Sequence, residues 1–80
     1  MSNNNVDLAR LGEHLAAVRR TYSENIDLPT LSAALFATLI RVRSATYQAC
    51  EAGEKEPTVA FLVALRKRTG VSLDWLLDLD

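Results

Sequence analysis

Residues 31–58 read LSAALFATLIRVRSATYQACEAGEKEPT. Ser32 is an N-cap residue at the head of an apolar run, so a short helix is expected over about 32–40. Arg41-Val42-Arg43 has the length of a tight turn. A further helix opens at Arg43 or Ser44 and stops at Gly53, which suits the left-handed position that follows a helix end. Glu54-Lys55-Glu56-Pro57 reads as a loop, and Thr58 as the cap of the next helix. Two short helices joined by such a turn form a helix-turn-helix unit.

A unit of this kind has a packing rule. Its helices cross closely, so one position on the first must be small, and apolar residues must meet at fixed places on both helices and in the turn. With the unit begun at Ala33, the close-approach position falls on Ala37. The buried positions fall on Phe36, Ile40, Val42, Tyr47 and Cys50. These agreements are more than a chain with 49% hydrophobic residues offers by chance in so short a window.

Outward from this segment the chain stays helical in pattern. Asp7 can cap a first helix carrying Leu8, Leu11, Leu15 and Val18 on one face. That helix is expected to end near residue 21, with Arg19 and Arg20 set against its C-terminal dipole. A connection over 23–30 contains the breakers Asp27 and Pro29. After the central unit, Thr58 opens a helix with Val59, Leu62, Val63 and Leu65 inward, Arg66-Lys67-Arg68 in its last turns, and Gly70 at its end. Ser72 caps a last short helix reaching Leu79. The expectation is one all-α domain over 1–80: a compact bundle of about five short helices over about 7–21, 32–40, 44–52, 58–69 and 72–79. Residues 1–6 are expected to fray.

Composition narrows the function classes. Nine basic and ten acidic residues give a net charge of −1, so bulk charge does not announce a nucleic-acid partner and any basic face must be local. Cys50 and His14 stand alone at no metal-ligand spacing, so no metal and no cofactor is expected. Cys50 occupies a packing position with no general base beside it, and His14 reads as an ordinary surface or half-buried residue. There is no phosphate loop and no nucleophile–base pair, which argues against an enzyme and against a small-molecule substrate. No apolar run approaches a membrane span and no leader is visible. A cytoplasmic setting in a bacterium or phage is the default.

The sequence resembles the lambda-repressor-like, XRE/Cro-type helix-turn-helix domains. Leu31-Ser32 is similar to their entry into the second helix, and Leu35-Phe36-Ala37 stands where they often carry an acidic residue, Leu and Ala. Glu51-Ala52-Gly53-Glu54-Lys55-Glu56-Pro57-Thr58 is similar to their Glu-x-Gly-x-x-x-Pro-Ser/Thr segment. Gly70-Val71-Ser72-Leu73-Asp74-Trp75-Leu76-Leu77 matches their final helix. The resemblance implies a sequence-specific regulator of transcription that binds double-stranded DNA, with a repressor acting as a homodimer on a palindromic operator the leading expectation. Four departures stand out. Arg41 replaces the usual turn glycine, at about 1 kcal/mol if its backbone is left-handed. Ala33 replaces a glutamine that the family often carries there to brace a phosphate or a recognition residue. The connection before the second helix is longer than usual. Leu35 and Leu39 make a normally exposed face apolar.

If the third helix enters the major groove, its outward positions are Arg43, Ser44, Ala45, Gln48, Ala49 and Ala52. Gln48 matches adenine, Arg43 matches guanine or a phosphate, and Ala45 or Ala49 matches a thymine methyl. Arg41, Thr46 and Lys55 are placed for phosphates. Trp75, Leu76 and Leu79, and secondarily Leu35 and Leu39, are the candidate dimer or partner surface. Cover for Leu35 and Leu39 comes either from Tyr22, Ile26 and Leu28 of the same chain or from another chain. The second reading is a protein-binding module on the same fold, an antirepressor or antitoxin-like partner with weak or no DNA binding.

Overall fold

A computed structural model describes residues 7–29 and 31–78 of the chain. Five helices follow one another: α1 (Leu8–Asn25), α2 (Ala33–Leu39), α3 (Ser44–Glu51), α4 (Val59–Thr69) and α5 (Leu73–Leu77). The described residues contain no strand, and none of their helices is long and apolar enough to cross a membrane. The expectations for residues 1–6 and for Leu79 lie outside the described residues.

Four helices begin at side-chain caps. Asp7 accepts from the Arg10 N–H, Ser32 from Leu35, Thr58 from Phe61 and Ser72 from Trp75. Each satisfies one of the amide donors that a helix start leaves unpaired. The N-cap of α3, Arg43, makes no such bond.

The first helix runs to Asn25, a turn beyond the expected end near residue 21. Asp27 takes a left-handed backbone, φ 60°. Its N–H donates to the Glu24 carbonyl at 3.1 Å, and the Leu28 N–H donates to that of Ser23 at 3.0 Å. This paired closure caps the C-terminus. The buried Ser23 hydroxyl donates to the Leu28 carbonyl, which secures the reversal. The breakers act after Asn25 rather than before Ser23. Arg19 therefore sits in the body of α1, not in its last turn.

The core takes Leu11, Leu15 and Val18 from α1, Leu31, Phe36, Ala37 and Ile40 around α2, Tyr47 and Cys50 from α3, Phe61 and Leu65 from α4, and Leu76 from α5. Tyr47 is its centre. Phe36 meets it edge-on at 5.4 Å and Phe61 stacks on it at 5.9 Å, arrangements that aromatic quadrupoles favour. Ala37 is fully buried, as the close crossing of α2 and α3 requires. Val42 packs partly buried against the same cluster.

The inward face of α4 differs from expectation. Phe61 and Leu65 are buried, and Leu62 packs beside them. Val59 and Val63 face outward, 76% and 45% exposed. Apolar residues occupy both sides of this helix, and the large ring of Phe61 together with Leu65, four residues on, sets the side that turns in.

Candidate nucleic-acid interface

The turn between α2 and α3 is a helix C-cap with an arginine in the strained place. The Arg41 N–H donates to the Thr38 carbonyl at 3.1 Å, and the Val42 N–H to that of Ala37 at 2.9 Å. Arg41 has φ 65°. Left-handed backbone costs an L-residue about 1–2 kcal/mol, part of which glycine returns through its freer unfolded chain. Arg41→Gly is thus expected to stabilise the domain by about 0.5–1 kcal/mol, a rise of roughly 2–8 °C in a thermal melt. A fall in Tm would show that the arginine side chain contributes more than its backbone costs.

The third helix presents one face outward. Tyr47 and Cys50 point into the core, where burial pushes the Cys50 thiol up and keeps it protonated. Ala45, Gln48 and Ala52 are exposed, while Ser44, Thr46 and Ala49 are half-buried at the margins. The Gln48 Nε2 donates to the Ser44 Oγ at 2.7 Å, which holds the carboxamide along the helix. Its Oε1 and second N–H remain for an adenine edge. Arg43, at the head of the helix, is exposed, and the first amides of α3 carry no side-chain cap.

After Glu51 the chain reverses at Gly53, φ 78°. The Gly53 N–H donates to the Cys50 carbonyl and the Glu54 N–H to that of Ala49. This closure carries Lys55 into the exposed loop beyond α3, with Glu54 and Glu56 exposed on either side of it.

The sole carboxylate on α3 does not face outward. Arg19 of α1 grips Glu51 through Nε at 3.0 Å and Nη2 at 2.9 Å, and its Nη1 donates to the Leu31 carbonyl at 2.8 Å. The Tyr47 hydroxyl donates to Glu51 Oε2 at 2.6 Å. Burial alone would raise the Glu51 pKa. The hydrogen bonds from Arg19 and Tyr47 outweigh it and hold the carboxyl below its ordinary value. Its partners shift in step: the bond to Glu51 raises Arg19, and burial followed by that same carboxylate raises Tyr47. Beside this clamp, a Cβ on Gly12 would overlap the Glu51 carbonyl oxygen, so α1 and α3 meet backbone to backbone.

Neither Gly12 nor the Arg19–Glu51 pair was picked out from the sequence. Gly12 did carry a signal. A glycine inside an apolar helical stripe marks a close approach when it does not mark an end. Arg19 lies four residues after Leu15 on that stripe, but its partner lies 32 residues away in sequence.

The apolar candidates divide. Leu76 is 1% exposed and belongs to the core, so it cannot be surface. Its neighbours bracket it, and only the turn of this short helix decides which leucine points in. Trp75 is 47% exposed, and its ring stacks on His14 at 4.2 Å. The His14 Nδ1 bonds to the Leu76 carbonyl at 3.1 Å. Trp75 also lines an apolar groove with Val18, Tyr22 and Val71. Leu39 packs against the core, while Leu35 stays 48% exposed. Tyr22 turns its ring to Phe36 at 5.6 Å, and Ile26 and Leu28 are themselves exposed. The connection therefore leaves Leu35 half open.

The helix-turn-helix family model HTH_3 matches residues 29–76. That span is more than half of the chain and runs from the segment before α2 to Leu76 of α5. No curated protein and no solved structure matches. With its core, turn and third helix arranged as above, the chain belongs to the helix-turn-helix family of lambda-repressor-like, XRE-type domains, a family of DNA-binding transcription regulators.

Proposed function

We propose that this protein is a repressor that occupies a palindromic operator as a homodimer, with α3 of each protomer in the major groove. The observation that carries the reading is the inward turn of Glu51. The acid of the recognition helix is neutralised by Arg19, so the outward face of α3 offers no negative charge to DNA. Arg43, Ser44, Ala45, Gln48 and Ala49 then read base edges, and Thr46 and Lys55 meet phosphates. The small side chains of Ala45, Ala49 and Ala52 allow the helix to lie deep against the bases.

A single domain reaches about one half-site, so useful affinity calls for two protomers whose recognition helices are about one DNA turn apart. Trp75 and the apolar groove beside it supply a self-complementary contact of the kind a two-fold dimer needs. Trp75→Ala is expected to leave a folded monomer by sedimentation and to abolish tight binding to a two-half-site duplex. A variant still dimeric would remove Trp75 from the interface.

Selection from random duplexes followed by anisotropy titration tests the whole reading. Gln48→Ala should weaken the selected site by about 1.5 kcal/mol, roughly tenfold, and relax the base preference at one position. Lys55→Ala should weaken all duplexes alike and lower the salt slope by about one. Failure of the full chain to bind any duplex in a salt-dependent way would refute the proposal.

A further inference from the structure

The end of α2 and the outer side of α4 enclose a groove whose chemistry differs from that of the α3 face. Leu39, Ala60, Val63 and Ala64 form its floor, and Arg41, Lys67 and Arg68 stand along it. From this groove we infer a docking site for a partner protein that presents an acidic amphipathic segment, a function beyond the DNA reading above.

Charge is the first argument. Three cations line the groove and no carboxylate does, in a chain whose net charge is −1. The ion pairs among the described residues are Arg10–Asp78 and Arg19–Glu51, so neither Arg41 nor Lys67 is neutralised there. Arg68 is already aimed: its Nε donates to the Leu39 carbonyl at 3.0 Å, and that bond leaves both Nη groups for an incoming carboxylate. Arg41 keeps a long cation where the left-handed backbone favours glycine.

The floor decides between the two anionic partners such a surface can attract. A DNA backbone is polar along its length and gains nothing from Val63, which is 45% exposed. An amphipathic segment gains on both counts. Its apolar side chains cover Val63 and Leu39, and its carboxylates meet Arg41, Lys67 and Arg68. Ala60 and Ala64, one helical turn apart, leave the depth that an apolar knob requires. This is the helix-in-groove mode of recognition, with acidic groups at the rim.

The test uses the full chain, ¹⁵N-labelled, and a synthetic helical peptide with a leucine stripe beside a glutamate face. Two control peptides carry lysine for glutamate or serine for leucine. Amide shifts on titration should map to Leu39, Ala60, Val63 and Lys67. Affinity should fall about tenfold or more in K67E/R68E, in Val63→Asp and with either control peptide. Affinity for duplex DNA should be unchanged in the same variants. Lys67→Ala, a milder surface change, serves if the double variant does not fold. Absence of peptide binding, equal binding by the variants, or an equal loss of DNA affinity would overturn the assignment. The last result would make the groove a DNA contact.

Discussion

Gly12→Ala is expected to lower the melting temperature sharply, although alanine is the better helix former. The mid-helix exchange on its own favours alanine by about 1 kcal/mol. Against that gain stands contact between main chains. The new Cβ would overlap the Glu51 carbonyl oxygen and lie 3.0 Å from its carbon and 3.2 Å from the Cys50 oxygen. Main chain cannot rotate away as a flexible side chain can, so α1 and α3 must separate. Overpacking of this kind costs at the upper end of the usual range or beyond, about 3–4 kcal/mol. The balance is a loss of about 2–3 kcal/mol, roughly 8–24 °C in a domain of this size. A circular dichroism melt measures it. A Tm at or above that of the parent chain would show that the two helices do not approach so closely. The same separation stretches the Arg19–Glu51 clamp, so on the proposed reading DNA affinity should fall with stability, although Gly12 lies on α1 and not on the proposed DNA face of α3.

The sequence made some of this architecture legible and hid the rest for physical reasons. Ala37, Phe36, Tyr47 and Cys50 were readable as core because helical periodicity and the close crossing of α2 and α3 constrain nearby positions. The same period leaves Ala45, Gln48 and Ala52 on the open side of α3. Periodicity places those side chains without stating what they meet. It failed on α4, where Val59 and Val63 compete with Phe61 and Leu65 for the inward side and size rather than pattern chooses. It failed again at the end of α1, because Asp27 can take a left-handed backbone and let the helix run on to Asn25. The α1–α3 contact was beyond local pattern altogether. Arg19 looked like a charge set against a helix dipole until the fold brought Glu51 to it across 32 residues.

That contact gives the second large effect. Glu51→Ala should cost about 3 kcal/mol at pH 7. Removing one member of a buried pair leaves the other charged and unmatched, a loss of about 3–5 kcal/mol when burial is complete. Here the Arg19 and Glu51 side chains are 18% and 16% exposed, so water recovers part of it. The Tyr47 hydroxyl also loses its 2.6 Å acceptor in the core. The deficit should depend on pH with a definite sign. Glu51 has a lower pKa folded than unfolded, so the native state binds this proton less readily than the unfolded chain does. The stabilisation is fully present above the unfolded value, about 4.3. It is lost as pH falls through the lower folded value. Urea titrations at pH 7 and at successively lower pH should therefore show the parent chain losing stability in acid while the variant loses less, so that the gap between them narrows. A gap that is constant or widens in acid would mean that Glu51 is not held as a carboxylate by Arg19. The neutral outward face of α3 would then have lost its cause.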